Sequence, residues 1–136
     1  MSKSVQKNQS SLSWPEFYPA GVPPVNAVDT TGVFYRLVKV LPPQADCFAS
    51  THEEYPKRHL SPKLSDEDKI NVYGASFYDT HQAAAETKEK FVNVLGDRII
   101  AKGELEDYMG KMKKTRGPSH YTMWLKVGCG IHNHFA

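Results

Sequence analysis

Short stretches in which apolar and polar residues alternate constrain the fold of this chain more than any other feature. The segments Val33–Leu41, Arg98–Leu105 and His120–Val127 repeat with the period of two that is typical of a half-buried strand. Most of the connections between them are too short for repeated strand–helix–strand units. We therefore expect an α+β fold with a small, mainly antiparallel mixed sheet, one main helix and an extended N-terminal arm.

Two further segments extend this expectation. Cys47–Ala49 and Val72–Tyr78 are apolar and short enough to be strands of the same sheet. Asp79 is expected to be the N-cap of the main helix, with Gln82 three residues later completing a capping box. Three alanines follow, and alanine is the strongest helix former. Gly96 is in the position expected of a C-cap glycine and predicts the end of this helix.

The 136 residues predict one folded domain preceded by an irregular segment. Residues 1–30 are expected to form a polar, disordered tail (residues 1–13) and an arm rich in proline and aromatic residues, and residues 31–136 the α+β domain. The sequence leaves open whether the arm covers its own core or docks onto a partner. Residues 51–70 carry many charges and predict a surface excursion or a flap over a site, in which Ser65 caps a short helical turn.

Charge and composition restrict the class of protein. A formal net charge of +2 and a sequence pI near 8.5 are too mild to favour a nucleic-acid partner. No apolar run approaches the roughly 20 residues that span a bilayer. The first residues lack the apolar centre of a secretory signal. We therefore expect a cytoplasmic protein in which Cys47 and Cys129 are free thiols.

Three motifs bear on function. The strand GVFYRLVKV carries Arg36 on a face that is otherwise apolar, and GASFYDTHQAAAETKEKF passes from a strand into a helix of small residues. Glu104 and Glu106 form a Glu-x-Glu pair. Together these motifs resemble the ADP-ribosyltransferase-like fold, a family of small mixed sheets that bind NAD in a cleft. The resemblance covers roughly residues 32–127.

This resemblance implies NAD as the cofactor and assigns a role to several residues. Arg36 would bind the diphosphate, and Tyr73 or Tyr78 would stack on the ring of the ligand. Glu104 or Glu106 would stabilise the positive charge that develops when the nicotinamide–ribose bond breaks. The residues alone leave an alternative for Arg36, which is that of a half-buried arginine with a structural partner.

A second candidate site is the basic segment Lys111–Trp124. Its cations would attract a phosphate group, and the hydroxyl, imidazole and aromatic groups that follow would complete the binding of a nucleotide-like ligand. His120 would contact the phosphate or transfer a proton, because its ordinary pKa lies near neutrality. The other candidate residues of this segment are Lys113, Lys114, Arg116 and Thr122. The alternative is a solvated hairpin loop followed by an ordinary aromatic strand.

Cys129, His132 and His134, together with Cys47, would supply four zinc ligands, but their spacing matches no familiar zinc module, so we expect no metal. The leading functional hypothesis is a domain that binds a nucleotide-like phosphorylated ligand of the NAD or ADP-ribose type. The alternative is a non-catalytic interaction or inhibitory protein, encoded for example by a mobile element or phage. The sequence determines neither the ligand nor the oligomeric state.

Overall fold

A computed structural model describes residues 12–136, so most of the predicted disordered tail lies outside the described residues. Six strands form one sheet in the spatial order β1-β5-β6-β3-β2-β4, and every neighbouring pair is antiparallel. The strands are β1 (Val28–Asp29), β2 (Gly32–Val38), β3 (Ala75–Tyr78), β4 (Ile99–Leu105), β5 (Gly110–Lys114) and β6 (His120–Leu125). The predicted α+β class with a small antiparallel sheet is confirmed.

The helical segments are short. The α-helices are α1 (Thr51–Glu54), α2 (Asp66–Asn71), α3 (His81–Lys90) and α4 (Val92–Leu95). The 3₁₀ helices are Ala45–Phe48, Arg58–Leu60, Asp107–Met109 and Ile131–His134. Helix α3 is the main helix, and no helix of the described residues is long and apolar enough to cross a membrane.

Three predictions of local structure differ from what is observed. The segment proposed as a strand at Cys47–Ala49 lies largely in the 3₁₀ helix Ala45–Phe48. Strand β3 begins at Ala75, because Val72 and Gly74 still close the turns that follow helix α2. The first part of the basic segment, which the alternative interpretation treats as a hairpin loop, is largely strand β5, and only the turn beyond Lys114 is irregular.

The main helix also begins and ends differently from the prediction. Thr80, and not Asp79, is the N-cap, since its hydroxyl oxygen accepts a hydrogen bond from the Ala83 N–H at 3.1 Å. The helix is interrupted at Phe91, which separates α3 from α4. Gly96 does end the second piece, with φ of 73°, a left-handed backbone conformation that glycine adopts without strain. Ser65 caps helix α2, as expected.

The two faces of the sheet have different roles. We call the face that carries Phe34, Phe77 and Met123 the inner face; it contains the larger hydrophobic cluster. The 3₁₀ helix Ala45–Phe48 and Phe135 close this cluster, with Phe48 and Phe135 in edge-to-face contact at 5.1 Å. The opposite face, which carries Tyr35, Tyr78 and His120, is called the outer face.

A smaller cluster at one end of the outer face is covered by the N-terminal arm. Trp124 is fully buried and donates from Nε1 to the main-chain oxygen of Ile70 at 3.2 Å. Trp14 and Tyr18 of the arm pack against this cluster, and the Val127 N–H donates to the Ser13 oxygen at 2.9 Å. Trp14, Tyr18 and Val22 of the arm thus pack against the chain to which they belong.

Candidate functional site

Three half-buried ring side chains lie in register across the outer face. Tyr35 of β2 pairs with Tyr78 of β3, and Tyr78 pairs with His120 of β6. We call these three residues the aromatic row. The Tyr78 and His120 rings meet edge to face, with centroids 5.4 Å apart. Lys102 of β4 pairs with Tyr35 and is exposed, so a cation lies at one end of the row. The row and Lys102 lie on four neighbouring strands, so together they extend over roughly 14 Å of the sheet.

His120 is held through one of its two ring nitrogens. Its Nδ1 lies 3.0 Å from both the main-chain oxygen and the hydroxyl oxygen of Thr115. The Thr115 hydroxyl lies 2.7 Å from that of Thr122, and both threonines are buried. This hydrogen-bond chain fixes the orientation of the imidazole within the sheet.

The contacts of His120 also determine its tautomer. A carbonyl oxygen can only accept, so Nδ1 carries the hydrogen, and in a neutral ring Nε2 is left as an acceptor. Burial lowers the pKa of His120, and the positive charge of Arg116 acts in the same direction, while the hydrogen bond to Thr115 opposes the shift. On balance these effects favour the neutral imidazole. Nε2 makes no hydrogen bond to any residue between 12 and 136.

Two cations lie near the His120 end of the row. Lys113 pairs with Thr122 in the β5–β6 ladder, which places it on the outer face. Arg116 lies in the turn between these strands, in a left-handed conformation with φ of 59°. Its Nη2 lies 3.5 Å from an oxygen of Asp68, and both side chains are partly exposed. Because that pair is exposed, it leaves Arg116 able to attract an anion.

One carboxylate and a second histidine complete the surroundings of the row. Glu104 pairs with Val33 one step along the β2–β4 ladder, so it shares the outer face and lies diagonal to Tyr35. His81, the first residue of helix α3, meets the Tyr35 ring edge-on at 5.8 Å. The structure thus brings predicted residues together on one face: Tyr78, Glu104, Lys113, Arg116, His120 and Thr122.

Arg36 lies on the inner face, and the sheet separates it from the row. Its Nε, Nη1 and Nη2 each donate to a main-chain oxygen, at 2.9–3.2 Å, and the acceptors are Cys47, Ser76 and Ala49. The expectation that Arg36 shares a face with apolar residues is confirmed, since Phe34 and Val38 on either side are buried. Its contacts correspond to the structural alternative, with carbonyl oxygens in place of a carboxylate.

Three other predicted residues also lie away from the row. Lys114 faces the inner side, with Nζ 5.8 Å from the centre of the Tyr121 ring. Tyr73 is buried beyond the end of β3, against His52 and the arm. Glu106 follows β4, is exposed, and accepts a hydrogen bond from the Thr30 hydroxyl through its main-chain oxygen.

The two cysteines are buried free thiols in the same hydrophobic cluster. Burial raises the pKa of Cys129 above its usual value. In the described part of the chain, no group of three or more histidine, cysteine, aspartate or glutamate side chains is placed to hold a metal ion. The His134 ring lies instead near the Tyr108 hydroxyl, with Nε2 at 3.4 Å.

Several residues of the site were not singled out as candidates from the sequence. Lys102 occupies a polar position of an alternating strand, and only the pairing of β4 with β2 places it beside Tyr35. Thr115 and His81 carry no motif, and their roles depend on a turn and on the approach of a helix. The order of the strands is the missing information.

Comparison with known proteins adds no assignment. No protein-family model matches the chain, and neither a curated protein nor a solved structure matches it. The functional argument therefore depends on the geometry of this chain.

Proposed function

We propose that the protein binds a nucleotide-like phosphorylated ligand on its outer face, along the aromatic row. The observation that carries the proposal is the register of Tyr35, Tyr78 and His120 across three adjacent strands. The exposed part of an aromatic ring is a surface on which a planar base can stack, typically with about 1–3 kcal/mol per base. A row of such rings with cations at both ends suits a ligand that has a ring and a phosphate.

The groups around the row would contact different parts of the ligand. Lys113 and Arg116 at one end and Lys102 at the other would attract a phosphate. The free Nε2 of His120 would accept a hydrogen bond from a ligand hydroxyl or amino group, because the neutral ring leaves that nitrogen without a proton. NAD and ADP-ribose carry a planar base, phosphate groups, and hydroxyl and amino groups, and so do simpler mononucleotides.

An ADP-ribosyltransferase-like activity is a more specific version of this proposal. It would use Glu104, the carboxylate that shares the outer face with the row, to stabilise the developing charge. Arg36 has no part in it, since its three nitrogens are bonded on the inner face. A cytoplasmic location is proposed with it, supported by two buried free thiols.

A thermal-shift screen tests the proposal. The probes are NAD, ADP-ribose, AMP, adenosine and inorganic phosphate, each near a millimolar. A ligand at 100 times its dissociation constant stabilises the fold by about 2.7 kcal/mol, a shift of several degrees in a domain of this size. We expect the phosphorylated nucleosides to give a larger shift than adenosine or phosphate alone.

Matched variants locate the binding. Tyr78→Leu and Lys113→Ala are expected to abolish most of the shift, whereas Tyr55→Leu and Lys63→Ala, which alter exposed residues of the 51–70 excursion, should leave it unchanged. A flat screen, or equal losses in the two pairs of variants, would overturn the proposal.

A second candidate function is protein binding, and the outer edge of β4 favours it. Lys102 and Ala136 exchange main-chain hydrogen bonds at 2.9 Å on that edge, so by alternation the N–H and C=O of Ile100 point the same way. No described residue pairs with them. Ile99, in the same strand, is 38% exposed. An extended segment of a partner protein would pair with this edge of β4, beside Ala136.

A further inference from the structure

Four rings meet where the N-terminal arm, the charged excursion and the sheet come together. Phe17 belongs to the arm, His52 to helix α1, His59 to the 3₁₀ helix Arg58–Leu60, and Tyr73 to the segment before β3. His52 is the centre, with ring centroids 4.7 Å from Tyr73 and 5.1 Å from both His59 and Phe17. We call these four residues the histidine–aromatic cluster.

Both histidines of this cluster have a buried ring nitrogen without a partner. The Nδ1 atoms of His52 and His59 are shielded from solvent, and neither has a hydrogen-bond partner among residues 12–136. A neutral imidazole can place its hydrogen on Nε2, so that Nδ1 is only an unused acceptor. A protonated imidazole has a hydrogen on both nitrogens, and a buried Nδ1–H without an acceptor is unfavourable. The closed cluster therefore favours neutral histidines.

The charges that face His52 shift its pKa in both directions. Burial lowers its pKa first and the neighbouring His59 lowers it further, while Glu53 on the same helix raises it. The Glu53 carboxylate already accepts hydrogen bonds from the Ser50 N–H and hydroxyl, at 2.9 and 3.0 Å. Tyr18 of the arm stays neutral, because burial and Glu53 raise its pKa. Tyr73 and Phe17 add rings but no charge.

We propose that the histidine–aromatic cluster is an acid-sensitive latch, which holds the arm on the domain at neutral pH and releases it when the histidines become protonated. The sign follows from proton binding. Burial and the neighbouring His59 lower the pKa of His52 in the closed form, and opening removes both effects, so that His52 returns to an ordinary imidazole pKa of about 6.5. The closed form binds fewer protons, so opening becomes more favourable as the pH falls below that value.

Opening would expose apolar surface that the arm covers. Trp14 stacks on Tyr18 at 6.0 Å and lies 5.3 Å from the Lys126 ammonium group, and both arm residues pack against the cluster around Val72 and Trp124. Release would make Trp14 accessible to solvent. Trp124 belongs to the cluster that the arm covers, so its shielding from solvent would decrease as well.

Acrylamide quenching of tryptophan fluorescence between pH 7.5 and 5.0 tests the latch, with far-UV circular dichroism recorded on the same samples. We expect the quenching constant to rise at least twofold, with a midpoint between about pH 5 and 6.5 and without loss of secondary structure. The variant Trp14→Phe should show a smaller rise, since Trp124 is then the only tryptophan that reports the release. An undiminished rise in Trp14→Phe, or a coincident loss of secondary structure, would overturn the proposal.

Two variants separate the latch from general acid sensitivity. His52→Phe/His59→Phe keeps the aromatic contacts and removes both titrating groups, so its quenching should not depend on pH in this range. The single variant His59→Gln, which alters the less central ring, should show a smaller rise if the double variant does not fold. His132→Asn is the matched control and should behave as the unmodified protein. An unchanged pH dependence in the cluster variants contradicts the latch.

Discussion

The guanidinium of Arg36 lies 5.5 Å over the centre of the Phe77 ring, within the inner face of the sheet. Its three nitrogens bond main-chain oxygens of the 3₁₀ helix Ala45–Phe48, the residue after it, and strand β3. The side chain thus attaches the segment that follows β2 to the neighbouring strand. Burial lowers the pKa of Arg36 from its ordinary value, yet the group remains charged because that value is very high.

Replacing Arg36 is expected to destabilise the fold. Arg36→Met removes the donors from one buried and two partly buried hydrogen bonds to main-chain oxygens, and we expect a loss of about 3 kcal/mol or more in the free energy of unfolding. Arg36→Lys should also destabilise, because one ammonium group cannot reach three acceptors in the geometry of the guanidinium. Urea denaturation measures both values. Arg58→Met, at an exposed position, is the control and should change stability by less than about 0.5 kcal/mol.

His120 is expected to titrate below its ordinary pKa of 6.5, because burial disfavours its charged form. The unfolded chain then takes up the proton first as the pH falls. The contribution of this group to stability should be complete above about pH 6.5, decrease below it, and level off below the pKa of the folded state. An NMR titration of the ring, with nitrogen shifts to identify the tautomer, measures this. A pKa above 6.5, or a hydrogen on Nε2 in the neutral ring, would contradict the assignment.

Gly103 allows the C-terminal residues to approach β4 closely. A Cβ at this position would overlap the main-chain oxygen of His134 and the ring of Phe135. Gly103→Ala should therefore displace residues 134–136 and lower stability by about 1–3 kcal/mol. The amide of Lys102, which donates to Ala136, should lose its protection from hydrogen exchange. Unchanged protection in the variant would show that these residues do not pack on β4.

Hydrogen exchange also tests the open edge of β4. The amide of Ile100 points away from β2 and should exchange rapidly, whereas that of Ala101, which pairs with Arg36, should be protected. Val94→Asp should change stability by less than about 0.5 kcal/mol, because the side chain is 75% exposed. Protection of Ile100 in the free protein would mean that this edge is already occupied, and the protein-binding candidate would fail.

The sequence predicts the faces of individual strands well. In His120–Leu125, alternation predicts that Tyr121 and Met123 share one face while His120 and Trp124 share the other, and the two hydrophobic clusters divide in this way. The period of two reports burial directly, because successive side chains of a strand point to opposite faces. Strand β5 was missed although it has the same signal: Met112 is buried between Lys111 and Lys113.

The site could be predicted only in part, since it depends on which strands are neighbours. Nothing local shows that Tyr35 pairs with Tyr78, or that Arg36 and His120 lie on opposite faces. Very short segments are similarly undetermined, because three apolar residues such as Cys47–Ala49 fit a strand or a helical turn equally well. The sequence shows which residues have suitable chemical groups. Which of these residues lie close together depends on the order of the strands in the fold.

The strand order has a consequence for how the chain reaches this structure. Strand β2 pairs with β3 and β4, and Val28 in β1 pairs with Met112, so apart from the β5–β6 hairpin the sheet is built from residues distant in sequence. Loops must close before these pairings form, and proteins dominated by such pairings fold on the slower timescale of milliseconds to seconds. During synthesis, β2 leaves the ribosome before its partners and stays unpaired until β3 and β4 have also been made.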